Sequence, residues 1–492
     1  QDADVSASFP CNGNHTCGKC RVIVSGAVSP MDEQERLLLG AAADSMRLAC
    51  FTTVLGDCSV TMPRSGGNEQ IAVAYSAAAA VLEPLYSSGY GVAVDIGTTT
   101  VVGYLFRHDS KEPLGVVGEM NKQKMFGADV LSRIVYCNEH TVRPLCQIIR
   151  RQIAGICGQL CEKVGIAIDE IRALCVTGNT TMLHIFAGLE PRSLAYAPFT
   201  PLSLFGDWQE FHLDGMPKTE IYLPRSISAY VGADITCSLL ASGICRKTDN
   251  VLLVDIGTNG EMALGNESGA LCCAVASGPA FEGAAISCGM PGITGAVSHV
   301  SYDRGFLCDI VGGGEAKGIC GSGLVDLVAM LLERGVIDES GRLLPPQDAP
   351  EDMRRYLTED GQGNGVFHLT KAVSLTARDV RNLQLAKAAV AGGIRVLLEQ
   401  RGVTADDIAS VELAGGFGNY LSPENVVRIG MLPRACLSKI RPLGNAALAG
   451  ASMLALDGEN WRKLAEIPEK CRYLELSGRD DFSRAFTDSL TF

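Results

Sequence analysis

Two segments of the chain repeat one pattern of apolar and polar positions. In both GVAVDIGTTTVVGYLF (residues 91–106) and VLLVDIGTNGEMALG (residues 251–265), an apolar run ends in an acid, and a Gly-Thr turn leads into a second apolar run. A third apolar run follows each segment, at residues 114–121 and 270–277. Short apolar runs between turn residues are typical of buried strands. We therefore predict two related α/β halves, each of which begins with three strands and continues into helices.

The N-terminal part of the chain follows a different pattern. RVIVSGAV (residues 21–28) alternates as a strand does, residues 32–42 have the apolar spacing of a helix, and residues 50–63 predict a closing pair of strands. The stretch PRSGGNEQ, residues 63–70, has the composition of a linker. An Ala-rich run with helical propensity follows it, up to residue 82, before the first repeated segment begins.

The length and the charge limit the classes of function. A chain of 492 residues has room for two to four domains. Its net charge of −13 argues against binding to nucleic acid or to an anionic membrane. The apolar run at residues 71–82 is too short to span a bilayer, and the start of the chain has no signal-peptide pattern. The 19 cysteines show no regular disulfide spacing, which indicates a reducing cytoplasm.

Four cysteines stand apart from the rest. Cys11, Cys17 and Cys20 have the spacing C-x5-C-x2-C, and Cys50 follows downstream. This is one residue longer in its first gap than the plant-type [2Fe–2S] spacing. We predict that these four residues carry a [2Fe–2S] cluster. A structural zinc ion, which usually draws CxxC pairs, disulfides and a vestigial site are the alternatives.

The two repeated turns have the residue types that a phosphate site needs. Asp95 and Asp255 end buried strands, where a carboxylate can hold Mg²⁺ through water. Gly97 and Gly257 allow close approach of the backbone. Hydroxyl groups and amides that follow can surround a phosphate. The hydroxyl groups belong to Thr98, Thr99, Thr100 and Thr258.

A third glycine-rich element lies in VELAGGFGNYLSP, residues 411–423. An apolar strand is predicted to end at Gly415 and Gly416, followed by Phe417 and a helix-like segment. Glycines at this place allow a flat base or a ribose to lie on the backbone. Beside two phosphate hairpins, this element predicts an adenosine site. The run at residues 385–402 has helical apolar spacing and is predicted to be a core or interface helix.

These motifs resemble known families. The N-terminal order of loop, strand, helix, cysteine and strand resembles the β-grasp ferredoxins. The two hairpins with the late Gly-Gly resemble the superfamily of acetate and sugar kinases, heat-shock chaperone ATPases and actin (ASKHA). Further stretches, together with the cysteines, look like the reductive activators of corrinoid proteins. Those stretches are residues 120–134, 176–184, 230–235, 277–286, 318–327 and 441–451.

The resemblance implies a function and a set of site residues. A reductive activator passes one low-potential electron to Co(II) of a corrinoid methyl carrier and uses ATP to drive the step. Asp95 and Asp255 would organise Mg²⁺ and the attacking water. Glu261 and Gln123 are candidates for positioning water, or structural hydrogen-bonding residues with equal weight. Phosphates would be held by Thr98, Thr99, Thr258, Asn259 and Gly260. A helix would start at Gly321, Ser322 and Gly323, and the adenosine would border Gly415, Gly416 and Phe417.

The expected fold is a multi-domain α/β protein in which two RNase H-like domains enclose an ATP cleft. The predicted parts are an N-terminally incomplete [2Fe–2S] domain at 1–63, a linker at 64–89, and RNase H-like domains at 90–246 and 247–492. The expected partners are a corrinoid protein and a low-potential electron donor, with a homodimer plausible from the resemblance. A small-molecule kinase, or an ATP-gated binding module with an inert cluster domain, are the alternative functions.

Overall fold

The computed structural model describes residue 15 and residues 20–39, 43, 45–61, 85–108, 113–216, 219–418 and 420–492. Cys11, Cys17 and the Ala-rich run at residues 71–82 lie outside these residues. In the described part of the chain, no helix is both long enough and apolar enough to cross a membrane.

A small three-stranded sheet forms the N-terminal part. Its order is β2-β1-β3, with β1 at Arg21–Val28, β2 at Arg47–Leu48 and β3 at Val54–Thr61, and both neighbours run antiparallel to β1. The helix α1 spans Glu33–Leu39. The strand at 21–28 and the helix are confirmed, whereas the β-grasp fold stays a prediction.

The predicted closing pair of strands at residues 50–63 is wrong. Among the described residues of this stretch, 50–61, only β3 forms, and the second partner of β1 is the short β2, which precedes Cys50. The reason is a turn after Leu48. Its carbonyl oxygen accepts the backbone N–H groups of Phe51 and Thr52 at 2.9 and 3.1 Å, and the hydroxyl of Thr52 at 2.9 Å. The chain therefore bends around Cys50 instead of running on as a strand.

The first repeated segment builds a six-stranded sheet of order β6-β5-β4-β7-β9-β8. The strands β4, β5 and β6 are antiparallel neighbours, while β7 runs parallel to β4 and β9 runs parallel to β7. The strands are β4 Tyr90–Ile96, β5 Thr100–Arg107, β6 Gly115–Met120, β7 Ile171–Gly178, β8 Asp207–Phe211 and β9 Thr219–Leu223. The helices are α2 Val130–Glu139, α3 Arg143–Val164, α4 Thr180–Ala187 and α5 Ala233–Ser242.

The second repeated segment builds a sheet with the order β20-β19-β10-β11-β12-β21. Five strands repeat the plan of the first sheet, whereas the sixth, β21, pairs with β12 at the opposite edge. Here β10, β11 and β12 are antiparallel neighbours, and β19 and β20 extend the sheet in parallel from β10. The strands are β10 Asn250–Ile256, β11 Gly260–Asn266, β12 Gly269–Val275, β19 Ile408–Ala414, β20 Ile440–Gly444 and β21 Cys471–Tyr473. The predicted strands and the multi-domain α/β class are thus confirmed.

Two small sheets and further helices belong to the second half. The sheets have the orders β14-β13-β15 and β16-β17-β18. Their strands are β13 Ala296–Tyr302, β14 Phe306–Ile310, β15 Gly318–Ile319, β16 Leu357–Glu359, β17 Gly365–His368 and β18 Ser374–Thr376. The helices are α6 Gly321–Glu333, α7 Ala377–Arg401, α8 Gly415–Gly418, α9 Pro423–Arg428, α10 Ala446–Leu456, α11 Glu459–Lys470 and α12 Asp480–Asp488. The predicted helix at residues 385–402 is confirmed within α7.

The helices α5 and α10 connect the two large sheets through one apolar core. This core combines side chains of the first sheet, such as Ala93, with side chains of the second sheet, such as Leu253, and with Leu239 of α5 and Leu448 of α10. The two helices approach closely because α10 presents Gly450 to α5. A Cβ at this position would overlap the backbone carbonyl of Cys237. The long-range packing of α10 therefore ties the C-terminal part of the chain to the first sheet.

We expect Gly450→Ala to lower the midpoint of thermal unfolding, because the added methyl group forces α5 and α10 apart. The cost of such overpacking is about 1–3 kcal/mol. Gly155→Ala is the matched control: Gly155 is exposed in the middle of α3, and its Cβ would meet no atom within 4 Å. That variant should gain up to about 1 kcal/mol. Circular dichroism melts that show no loss for Gly450→Ala would contradict the close packing.

Candidate functional site

One cavity of about 310 Å³ collects residues from both repeated segments. Both hairpin turns, the starts of several helices and the late Gly-Gly line its wall. The polar and glycine residues of the wall are Asp95, Gly97, Thr98, Thr99, Thr100, Asn179, Asp234, Asp255, Gly257, Thr258, Asn259, Glu261, Glu282, Gly292, Gly321, Ser322, Gly415, Gly416, Tyr420 and Asn445. The repeated motifs, which lie far apart in the sequence, thus meet at one place.

The first hairpin turn is held from behind by buried polar side chains. Asn121 donates from its side chain to the carbonyl of Gly97 at 2.8 Å, and its backbone N–H donates to the carbonyl of Thr99 at 2.8 Å. The guanidinium of Arg133 on α2 is fully buried and donates to the carbonyl of Thr98 at 2.5 Å. Because the turn carbonyls are engaged on this side, its hydroxyl groups and amides are left for the cavity.

The second hairpin turn is built in a similar way. The hydroxyl of Ser277 donates to the carbonyls of Gly257 and Thr258 at 3.1 and 3.2 Å. Among the described residues, the hydroxyl oxygen of Thr258 is buried and has no hydrogen-bond partner. A buried hydroxyl without a partner is costly. This orphaned group therefore fits a ligand with acceptor oxygens, such as a phosphate.

Four acids from both halves converge on the cavity. Burial raises the pKa of Asp95 to about 6, although the amide of Asn445 donates to its carboxylate at 3.0 Å. The pKa of Asp255 is raised to about 7 by burial and then by the charge of Asp95. Burial and the charges of Asp95 and Asp255 raise the pKa of Asp234 to about 8. The pKa of Glu261 is raised by burial and by Asp234 and Asp255.

This charge pattern fits a divalent cation. Carboxylate oxygens are hard ligands of the kind that Mg²⁺ prefers, and no Lys, Arg or His side chain lines the described wall of the cavity. Asp95, Asp234, Asp255 and Glu261 are the residues that would hold the ion, directly or through water. Backbone N–H groups at helix N-termini supply partial positive charge to the same cavity. The helices α4, α5, α6 and α10 all begin at residues that line the cavity or adjoin its wall.

Five polar residues of the wall were missed by motif reasoning. One is Tyr420, which follows the late Gly-Gly, and the other four are Asn179, Asp234, Glu282 and Asn445. Each of these four lies in a stretch that carried the family resemblance: VTGNTTMLH, YVGADI, SGPAFEGAAI and RPLGNAALAGA. Asn179 caps α4 and donates to the hydroxyl of Thr98 at 3.4 Å. The signal was thus present in these stretches, but the sequence did not show which of their residues face the cavity.

Gly415 explains why the late Gly-Gly is needed. It has a φ angle of +86°, which favours glycine, and a Cβ at this position would lie 2.6 Å from Oδ1 of Asp255. Gly416 also lines the cavity, whereas its Cβ would meet no atom within 4 Å. The side chain of Phe417 lies outside the described residues. The first glycine therefore leaves room for a carboxylate, and the second leaves open space.

Three of the predicted site residues do not line the cavity. Gly260 begins β11 beneath the second turn, and Gly323 packs in α6 against the backbone of Val297. Gln123 is fully buried outside the wall: its amide nitrogen donates to the carbonyl of Leu145 at 3.1 Å, and its oxygen accepts from Arg133 at 3.3 Å. Gln123 has no access to a ligand in the cavity. Its contacts therefore favour a structural hydrogen-bonding role over the positioning of water.

The described cysteines of the N-terminal part lie together. The thiol of buried Cys20 donates to the sulfur of Cys50 at 3.3 Å, and the backbone N–H of Cys50 points at the sulfur of Cys20 at 3.5 Å. Two sulfurs this close, with a backbone N–H directed at one of them, fit ligands of one cluster. Cys11 and Cys17 lie outside the described residues. Within the described part, no group of three His, Cys, Asp or Glu side chains has metal-binding geometry.

A buried ion pair positions the loop that carries Cys50. Glu35 of α1 is fully buried, and its two oxygens accept from Nε and Nη2 of Arg47 at 2.9 and 2.8 Å. The backbone N–H of Leu48 donates to the same carboxylate at 2.7 Å. Bidentate, charge-assisted pairs of this kind have a fixed geometry. Glu35 thus fixes the chain two residues before Cys50.

The fold and the acid-lined cavity define an α/β protein in which two related halves enclose one cavity, the arrangement of the ASKHA class. A family model described as the RACo middle region matches residues 90–247, and one described as the C-terminal domain of RACo, the ASKHA domain, matches residues 249–492. The chain belongs to this family of reductive activators.

Characterised relatives cover most of the chain. The corrinoid activation enzyme RamQ of Eubacterium limosum is 35% identical over 421 residues, which are 82% of this chain and 70% of that protein. The Co(II) methylated amine-specific corrinoid protein reductase of Methanosarcina barkeri is 26% identical over 444 residues, 82% of this chain and 77% of that protein. A solved structure of a reductive activator for corrinoid, iron-sulfur protein matches with a TM-score of 0.75 and 30% identity, covering 98% of this chain and 93% of that one.

We expect Gly415→Ala to weaken nucleotide binding by about tenfold or more, because its methyl group would displace the carboxylate of Asp255 and strain a left-handed backbone. Isothermal titration calorimetry with Mg²⁺ and ADP measures this loss. Gly361→Ala is the control, since its Cβ would meet no atom within 4 Å and Gly361 does not line the cavity. Equal affinity of Gly415→Ala and the wild type would contradict the contact with Asp255.

Proposed function

We propose that this chain is an ATP-dependent reductive activator of a corrinoid protein, which returns the cobalt of that partner from Co(II) to Co(I). The observation that carries this function is the presence, in one chain of this family, of a phosphate cleft and a cysteine pair. The cleft is made by the turns after Asp95 and Asp255, and the pair is Cys20 and Cys50. The cleft would bind the nucleotide, and the cysteines would hold the group that donates the electron.

The nucleotide would bind through the groups that the two halves turn toward the cavity. Thr98, Thr99 and Thr258 offer hydroxyl groups to its phosphates, and helix N-termini offer backbone N–H groups. Mg²⁺, when bound, would neutralise phosphate charge and order water near the acids. Asp95 and Asp255, which line the same cavity from the two halves, would orient that water. Gly415 and Gly416 give the adenosine a surface without side chains.

The electron would pass through the N-terminal part. Four cysteines, Cys11, Cys17, Cys20 and Cys50, are proposed to hold a [2Fe–2S] cluster, which supplies a one-electron donor when bound. Cobalt is the acceptor: Co(II) gains one electron and becomes Co(I), and no bond to the protein forms. The electron reaches the chain from a low-potential donor. ATP, acting at the cleft, provides the free energy that an uphill transfer needs.

We expect Asp255→Asn to reduce ATP-dependent formation of Co(I) by at least about tenfold, because the amide cannot contribute charge to a Mg²⁺ site. The variant keeps the size of the side chain, so the cavity should persist. Co(I) absorbance after mixing the reduced chain, ATP and a Co(II) corrinoid protein reports the rate. Asp352→Asn, an exposed acid outside the cavity wall, is the control. Undiminished reduction by Asp255→Asn would contradict the proposed role of the cleft.

We expect Cys50→Ser to lose the visible absorption of the cluster and the formation of Co(I), while ATP hydrolysis continues. The serine hydroxyl is a poor replacement for a thiolate ligand. Cys58→Ser is the matched control, because Cys58 lies on β3 opposite Gly26 and is only partly buried. A wild-type chain that binds zinc and shows no visible bands would overturn the electron-transfer function. It would favour a binding module instead.

A further inference from the structure

One carboxylate bridges the two halves at the place proposed for the phosphates. Glu282 lines the cavity, and its oxygen Oε2 accepts the hydroxyl of Thr99 at 2.5 Å. Its other oxygen, Oε1, accepts the backbone N–H of Thr258 at 3.1 Å. Thr99 belongs to the turn of the first half and Thr258 to the turn of the second. A single side chain therefore holds both turns.

The contacts of Glu282 are those that a phosphate group would make. A hydroxyl and a backbone N–H are common donors to phosphate oxygens, and here a carboxylate accepts from both. Glu282 is a further carboxyl group on the wall that carries Asp95, Asp234, Asp255 and Glu261. A phosphate group and the Glu282 carboxylate cannot occupy the same donors, because they would compete for the same hydrogens and repel each other.

We propose that Glu282 is an acidic latch, which joins the two hairpin turns in the nucleotide-free protein and is displaced by the phosphates of the nucleotide. This inference rests on the proposed function, since it needs a nucleotide in the cavity. It adds a regulatory step to that function: the cleft is held by its own carboxylate until a ligand that brings several acceptor oxygens enters. Opening of the latch is then the first structural consequence of nucleotide binding.

The segment around Glu282 connects the latch to α7. Gly278 and Gly283 flank the single helical turn that carries Glu282, and both have a φ angle of +74°. Beyond Gly283, the backbone N–H of Ser287 donates to Asp379 at 2.7 Å, and Asn382 donates to the carbonyl of Ala285 at 2.6 Å. Asp379 and Asn382 lie in the first two turns of α7. These hydrogen bonds connect the segment that carries Glu282 to the N-terminal end of this long helix.

Calorimetry on the full chain tests the latch. Removal of a competing group should tighten binding, so we expect Glu282→Ala to bind Mg²⁺ and ADP about tenfold more tightly than the wild type, which corresponds to about 1.4 kcal/mol. Glu282→Gln, which removes the charge but retains an acceptor, should lie between the two and serves if the alanine variant does not fold. Glu351→Ala, an exposed glutamate outside the cavity, should bind as the wild type does. Weaker or unchanged binding by both Glu282 variants would overturn the latch.

Hydrogen exchange of the Thr258 amide reports on its hydrogen bond to Glu282. A role of Glu282 in metal binding alone would not change this exchange rate in the absence of metal and nucleotide. Without nucleotide, the amide of Thr258 should exchange faster in Glu282→Ala than in the wild type, because its acceptor is gone. ADP with Mg²⁺ should restore protection in the variant and leave this amide protected in the wild type. Unchanged exchange of this amide in the nucleotide-free variant would overturn the bridge. A wild type that binds no nucleotide would overturn the proposed function together with the latch. Intact binding with no effect of Glu282 would overturn the latch alone.

Discussion

Repulsion among buried carboxylates is the constraint on which this structure depends. Asp95, Asp234, Asp255 and Glu261 come from both halves of the chain and meet in one cavity. Burial raises the pKa of each, and the charges of neighbouring carboxylates raise the pKa of Asp234, Asp255 and Glu261 further. In the described wall, no basic side chain offsets them. A cation favours the entry of an anionic nucleotide into such a cavity, because it offsets the repulsion between the phosphates and the ionised carboxylates. The acids thus favour binding of the nucleotide together with a metal ion.

The same cavity is mechanically linked to the interior of the protein. Asp234 lies in the first turn of α5, and Asn445, which donates to Asp95, caps α10. These two helices pack against each other between the large sheets, where Gly450 permits their close approach. A change in the geometry of the acids therefore acts on both helices at once. This arrangement provides a physical route by which nucleotide binding can alter the relation between the two halves.

The sequence predicted those parts of the site that local patterns encode. Asp95 and Asp255 were recognisable because each ends an apolar strand and precedes a Gly-Thr turn, and Gly415 because two glycines end a strand. Asn445 and Glu282 were not, because their partners lie 350 and 183 residues away, and only the folded chain brings them together. The position of Gln123 shows the opposite case, since a polar residue beside a motif was buried as structural support.

The effect of Mg²⁺ on nucleotide affinity tests the role of the converging acids most directly. The measurement is a calorimetric titration of ADP into the full chain, first with Mg²⁺ and then with excess EDTA. We expect the affinity to fall at least about a hundredfold without the metal, a difference of about 2.7 kcal/mol. Equal affinity under both conditions would mean that the carboxylates of the cavity do not govern nucleotide binding.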